Sequence, residues 1–292
     1  MEITPVHPHF GARVEGSDLT RPLDDATFAR IRAAFDEHSV LVFPDQRLTD
    51  EQQLAFSLRF GPLETTIRSV ARTDRYHPNV VDLTNLDRDD GDRLMGWDAR
   101  KMVYQAGNQL WHTDSSFKPV PALASLLSAR EVPPAGGETE FASLRHAWAT
   151  LPEATQRRLA GRVAVHSILY SRSTIAPGLF DPEHERELPP VRQALVRENP
   201  VNGRRALYLG SHAWYVEGME HAESRRLLDE LLAHTTSKDR LPAPGDRSWD
   251  AARHRRVMRR TTVAGAAPTA DPPHATRTAV WEGIIPAGVG VG

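Results

Sequence analysis

The sequence predicts a mainly β fold with flanking helices, and two patterns carry that expectation. Short apolar segments of strand length recur at 40–43, 80–83, 124–129, 163–169, 206–209 and 257–263. Between them lie longer segments whose apolar residues fall on one face, as in amphipathic helices. A chain of 292 residues is longer than one average domain, yet barrels and sandwiches of this size fold as single units.

In chain order, 24–38 is predicted to be a helix with Phe28, Ile31 and Phe35 on one face, leading into the strand at 40–43. Thr49 and Gln52 have capping-box spacing, in which the threonine hydroxyl satisfies a free backbone donor and Gln52 reaches back. The helix they open carries Leu54, Phe56 and Phe60 and stops at Gly61. Residues 80–83 read as a strand and the charged, glycine-containing stretch 88–100 as a loop beside a site entrance. After the strand at 124–129, residues 133–137 are a turn and 138–141 alternate as a strand. Short helices at 144–160 precede a strand at 163–169, and 180–190 reads as a charged, proline-bounded loop. A strand at 206–209 and an amphipathic helix at 220–233, built on Leu227, Leu228, Leu231 and Leu232, follow. Those leucines are core, because two turns do not make a coiled coil. A threonine- and valine-rich strand at 257–263 ends the domain, placed at 1–263, and the Gly/Ala/Pro-rich remainder, 264–292, reads as a disordered tail.

Composition excludes several classes. There is no cysteine, which removes disulfides, zinc–thiolate sites and thiol nucleophiles. A formal charge of −2 gives no electrostatic case for nucleic acid or an anionic membrane as partner. No apolar run reaches spanning length, and residues 1–10 lack a signal-peptide layout. A cytoplasmic protein is the expectation, and a homo-oligomer is allowed.

The chemistry centres on Asn108-Gln109-Leu110-Trp111-His112-Thr113-Asp114-Ser115-Ser116-Phe117. On a strand, His112 and Asp114 project to one side while Trp111 and Thr113 project to the other. An imidazole and a carboxylate converging this way supply two corners of a 2-His-1-carboxylate facial triad. His-x-Asp alone is a weak signal, whose bland reading is a histidine bonded to a nearby aspartate. Trp111 is read as core packing, His212 as a pocket or core histidine, and Asn108 as a pocket or strand-end amide. His184-Glu185 lacks the second histidine of a zinc-protease motif and is set aside.

Three motifs add context: Trp-His-Thr-Asp-Ser-Ser-Phe at 111–117, Pro-x-x-Ala-Ser-Leu-Leu from 121, and Gly-Gly-Glu-Thr-Glu-Phe-Ala at 136–142. So do Phe10-Gly11-Ala12, Gly16-x-Asp18-Leu19, 40–46, 207–213 and the arginine-rich 255–262. Together the sequence resembles the TauD/TfdA family of Fe(II)/2-oxoglutarate-dependent dioxygenases, nearest the 2,4-dichlorophenoxyacetate branch. The resemblance implies a double-stranded β-helix (jelly roll) with helices outside, Fe(II) as cofactor, 2-oxoglutarate as co-substrate and O2. It implies His112 and Asp114 as catalytic iron ligands. Thr139 and Arg256 would hold the distal carboxylate of 2-oxoglutarate, a guanidinium meeting it with two parallel hydrogen bonds. Arg260 would grip a small anionic organic substrate, with His212 and Asn108 lining its pocket.

The resemblance breaks once. Where the family has a strand pair carrying the distal iron-binding histidine, this chain has 235–253, with no histidine between His234 and His254 and with Pro242 and Pro244 against a central strand. The expectation is a jelly roll lacking a strand pair near 237–250. His254 shares strand parity with Arg256 and is a weak substitute; His274 lies in the tail. Two readings stay open here: a working dioxygenase that hydroxylates an aryloxyalkanoate- or sulfonate-like substrate, giving succinate and CO2, or a catalytically impaired or inactive family member. A metal-assisted hydrolase using His112 and Asp114 ranks below both.

Overall fold

The first sheet joins segments that are far apart in the sequence. β1 (Glu2–Pro5) pairs antiparallel with β2 (Ala12–Glu15), placing Ile3 opposite Val14. α1 (Asp25–His38) then carries the chain back so that β3 (Leu41–Val42) runs parallel to β2. A computed structural model describes residues 1–64, 79–84, 86–87, 93–94, 96, 103–104, 106–131, 140–237 and 258–265. The chain divides into two compact units, Met1–Met95 with Ala122–Glu138 and Ala243–Ala270, and Gly96–Pro121 with Thr139–Pro242 and Asp271–Gly292.

In the first unit the predicted helices form for local reasons. Asp24 caps α1 by accepting from the Thr27 amide at 2.8 Å. α2 (Asp50–Leu58) opens on the predicted capping box: the Gln52 amide donates to Thr49 Oγ1 at 3.3 Å, and the Thr49 amide donates to Gln52 Oε1 at 2.8 Å. Their apolar faces meet in a core of Leu19, Ile31, Leu48 and Phe56, with Phe28 edge-on to Phe60. Gln46 ties together two of the N-terminal motifs, 16–19 and 40–46. Its Oε1 accepts from the Leu19 amide at 2.9 Å while its Nε2 donates to the Ser17 and Pro44 carbonyls. Gly11, at φ 83°, turns the chain so that its amide donates to His38 O at 2.7 Å. β4 (Val80–Thr84) is followed by the small hairpin of β5 (Leu86–Asp87) and β6 (Arg93–Leu94), and later by β7 (Ala122–Glu131).

In the second unit a 3-10 turn, Gly107–Gln109, lies just before the His-Thr-Asp segment. α3 (Leu144–Ala149) and α4 (Glu153–Leu159) fall where short helices are predicted. β8 (Val163–His166) stops earlier than the predicted strand 163–169. The Ser167 hydroxyl caps α5 (Ile168–Ser173) by accepting from the Tyr170 amide at 3.1 Å, which turns the chain from strand to helix. The predicted loop 180–190 contains α6 (Pro182–Glu187). Asp181 caps it, with Pro182 in the first turn, a helix start that the density of charge hides. β9 (Val191–Ala194), β10 (Val196–Glu198), β11 (Arg205–Leu207) and β12 (Ala213–Val216) give a three-stranded sheet ordered β12-β8-β9 and a β10-β11 pair. α7 (His221–Thr235), capped by Glu220, buries Leu227, Leu228 and Leu231 against Leu144, Leu159, Leu195 and Leu207, so these leucines are core as expected.

β13 (Met258–Gly265) returns to the first unit and lies between β4 and β7, antiparallel to both. It covers most of the predicted strand 257–263 and runs on to Gly265. The expected turn at 133–137, most of the 88–100 loop, the break at 238–250 and the tail beyond 265 lie outside the described residues.

Candidate active site

His112 and Asp114 come together, though not on a strand. Residues 111–113 carry no regular structure and a turn begins at Asp114, with Ser115 at φ 57°. The alternation argument therefore gives the right neighbours through different backbone geometry. His112 Nε2 lies 3.2 Å from Asp114 Oδ1. Nδ1 donates to the Leu110 carbonyl oxygen at 2.7 Å. A carbonyl only accepts, so Nδ1 carries a proton and Nε2 is the atom left to bind an electrophile.

The segment 209–212 clamps this stretch from alongside. The Ser211 amide donates to the Trp111 carbonyl at 2.8 Å, and Thr113 Oγ1 donates to the Leu209 carbonyl at 2.7 Å. Between these bonds Gly210, at φ +145°, passes so close that a Cβ there would lie 2.9 Å from His112 Cα. Only glycine fits. His112 is 6% exposed, whereas the Asp114 side chain is 41% exposed. The pair thus has a sheltered imidazole and an approachable carboxylate.

Two further histidines support the loop. His212 is 1% exposed, and its ring centroid lies 5.8 Å from that of His112 and 4.9 Å from that of Phe117. Ser171 Oγ donates to Ile168 O at 3.0 Å, so its oxygen accepts from His212 Nδ1 at 2.7 Å. Burial, with His112, Arg172 and His166 nearby, holds the His212 pKa well below the usual histidine value. His166 is also fully buried. Its Nδ1 lies 3.0 Å from Ser116 Oγ, and its ring stacks on Tyr208, over whose ring the Arg197 guanidinium carbon lies 3.6 Å from the centroid. Burial first, then the Arg197 charge, lowers its pKa to about 3. Gln193 closes the far end of the loop by donating to the Ser116 and Lys118 carbonyls at 3.1 and 2.8 Å.

Asn108 sits in the 3-10 turn, and its Oδ1 accepts from Arg172 Nη2 at 2.8 Å. Arg260 is carried by β13 in the first unit, opposite Asp82 on β4 and Ser128 on β7 in register. Thr139, Arg256, His254 and His274 lie outside the described residues. His184 donates from Nδ1 to its own helix cap, Asp181, at 2.7 Å. His166, Ser171 and Arg172 carry no local pattern that marks them in the sequence, because their neighbours come from distant segments, whereas Gly210 lies inside the motif at 207–213.

The donor set suits a cation. His112 Nε2 and Asp114 Oδ1 lie 3.2 Å apart, close to the spacing of about 3 Å between adjacent ligands on an octahedral ion with bonds of about 2.1 Å. Among the described residues, no group of three or more His, Cys, Asp or Glu is placed to hold a metal.

Antiparallel sheets accompanied by helices, with an imidazole–carboxylate pair beside a glycine-clamped turn, match the class of jelly-roll dioxygenases seen among solved structures. The chain belongs to the family described as taurine catabolism dioxygenase TauD, TfdA family, which matches residues 2–241. It is 41% identical, over 80% of its length and 82% of the relative's, to an alpha-ketoglutarate-dependent 2,4-dichlorophenoxyacetate dioxygenase of Cupriavidus pinatubonensis. It is 36% identical to an (S)-phenoxypropionate/alpha-ketoglutarate-dioxygenase of Sphingobium herbicidovorans, over 85% of this chain and 86% of that one. The crystal structure of AAD-2 in complex with Mn(II) and N-oxalylglycine superposes with a TM-score of 0.81 at 34% identity, covering 95% of this chain and 100% of that one. The family match ends within the region where the sequence motifs break. No helix among the described residues is long and apolar enough to cross a membrane.

Proposed function

We propose that this protein is a cytoplasmic Fe(II)- and 2-oxoglutarate-dependent dioxygenase that hydroxylates a small anionic organic substrate, of aryloxyalkanoate or sulfonate type, with release of succinate and CO2. The observation that supports it most is the 3.2 Å approach of His112 Nε2 to Asp114 Oδ1, with Nδ1 already committed to Leu110, in a chain of this family. Bound iron, with 2-oxoglutarate and O2, supplies the oxidising power that replaces a C–H bond by C–OH.

The chain's own residues bind and orient. His112 presents Nε2 from a sheltered position, and Asp114 adds a negative oxygen that offsets the ion's charge. Thr139 and Arg256 hold the distal carboxylate of 2-oxoglutarate, the arginine through two parallel hydrogen bonds. Asn108 takes the substrate's anionic group, the role that the resemblance also assigns to Arg260, and His212 packs against the His112 ring. With an aryloxyalkanoate placed ether-side inward, hydroxylation beside the oxygen gives a hemiacetal that collapses to a phenol and an oxo acid.

A second reading, a catalytically impaired family member, is favoured by one observation: no third ligand joins His112 and Asp114 among the described residues. Anaerobic titration with Fe(II) and 2-oxoglutarate separates the two. A weak visible charge-transfer band, followed by succinate when phenoxyacetate and oxygen are added, establishes the dioxygenase. Neither signal establishes the impaired form.

A further inference from the structure

Arg172, on α5, is a buried cation with an incomplete set of partners. It is 3% exposed, and among the described residues it makes no ion pair. Nη2 donates to Asn108 Oδ1 at 2.8 Å, while Nε and Nη1 are enclosed without a hydrogen-bond partner. The Tyr104 ring lies 5.0 Å from its guanidinium carbon. On another side the group is pressed against Gly107, where an added Cβ would collide with Nη1. Burial draws its pKa down, and the Tyr104 hydroxyl, then the Asp114 charge, oppose that. An arginine does not shed its proton in a protein, so this charge persists and favours an anion close by.

We propose that Arg172 is a positioning residue that fixes the Asn108 carboxamide as a pair of N–H donors for the substrate's carboxylate; this rests on the anionic-substrate reading above. A guanidinium only donates, so the Asn108 oxygen must face it and the NH2 group must face away. Asn108 Nδ2 has no protein partner among the described residues and is not sealed from solvent. The fixed charge behind the amide polarises it and strengthens the hydrogen bonds its far side gives. Because Nε and Nη1 are closed off, Arg172 acts through Asn108 and through its charge rather than by touching the ligand. Asn108 lies in the 3-10 turn that runs directly into the His112 segment, so a carboxylate bound there is held by the same stretch of chain as the imidazole and Asp114.

The test uses the full chain with Mn(II) and 2-oxoglutarate, so that binding is read without turnover. Calorimetry measures phenoxyacetate and its neutral analogue, phenoxyacetamide. Asn108→Asp pairs directly with Arg172 and removes the donors. It is expected to raise Tm, yet weaken phenoxyacetate binding at least about tenfold while the amide binds as before. Arg172→Gln is expected to show the same selective loss, with part of it recovered in Arg172→Lys. Acid and amide affinities moving together in Arg172→Gln would overturn the proposal, as would an Asn108→Asp variant no more stable than the wild type. A wild-type chain that binds neither compound would remove the substrate reading and this role with it, whereas a flat Asn108→Asp melting point would remove the role alone.

Discussion

Gly210 lies against the backbone of His112 so tightly that a methyl group at 210 would sit 2.9 Å from His112 Cα and 3.0 Å from the Thr113 nitrogen. Both atoms are backbone, so neither can swing aside, and φ of +145° is itself a conformation that an L side chain resists. Gly210→Ala is expected to lower stability by about 2–4 kcal/mol. It is also expected to abolish the Fe(II)/2-oxoglutarate charge-transfer band in whatever fraction stays folded. Urea denaturation and the anaerobic titration check the two parts.

His112→Gln and Asp114→Asn remove one donor each while keeping approximate shape. Each is expected to weaken Fe(II) binding by roughly two orders of magnitude or more, since so few protein ligands are in place. Melting temperatures should change little for Asp114→Asn, because that side chain is well exposed. Equal iron affinity in wild type and Asp114→Asn would show that the metal sits elsewhere.

Thr113→Val tests the clamp without touching a donor atom. The variant keeps the side-chain shape but leaves the Leu209 carbonyl without the 2.7 Å bond from Thr113 Oγ1. The expected cost is about 1–3 kcal/mol, read by chemical denaturation, with a looser metal site as its companion.

His166 makes stability depend on pH. The unfolded chain takes up a proton near the ordinary histidine value of about 6.5, whereas the fold refuses it until about 3. The contribution is therefore fully present above pH ~6.5 and is lost as pH falls below it, by roughly 1.4 kcal/mol per pH unit. His212, shifted in the same direction, adds to the slope. His166→Phe should lower stability at neutral pH, because Ser116 loses a partner, and flatten the acid limb between pH 6.5 and 4.5. Denaturation curves at several pH values decide it.

What the sequence made legible was local or motif-borne. Asp24 and Thr49 announce α1 and α2 because capping involves only residues a few positions away. The His112–Asp114 pair was legible as a motif, although a turn at 114–117 stands where alternation predicts a strand. Continuous apolar runs misled: nothing in Val163 to Leu169 signals the end of β8 except Ser167, whose hydroxyl serves the next helix. Arg172 was illegible for a deeper reason. Its neighbours Ser171 and Ser173 suggest a solvated turn, and its burial is decided by Tyr104, Gly107 and Asn108, contributed by a different stretch of chain.

β13 is the middle strand of its sheet, yet it is made long after both of its neighbours. While a nascent chain lacks residues 258–265, β4 and β7 each expose a row of unsatisfied backbone groups where β13 will insert. The second unit, complete in its described strands by residue 216, is free to fold during translation, while the first waits. Ribosome stalling or early termination after β7 but before residue 258 would release a product with two adhesive edges, and chaperone demand should concentrate on that interval of synthesis.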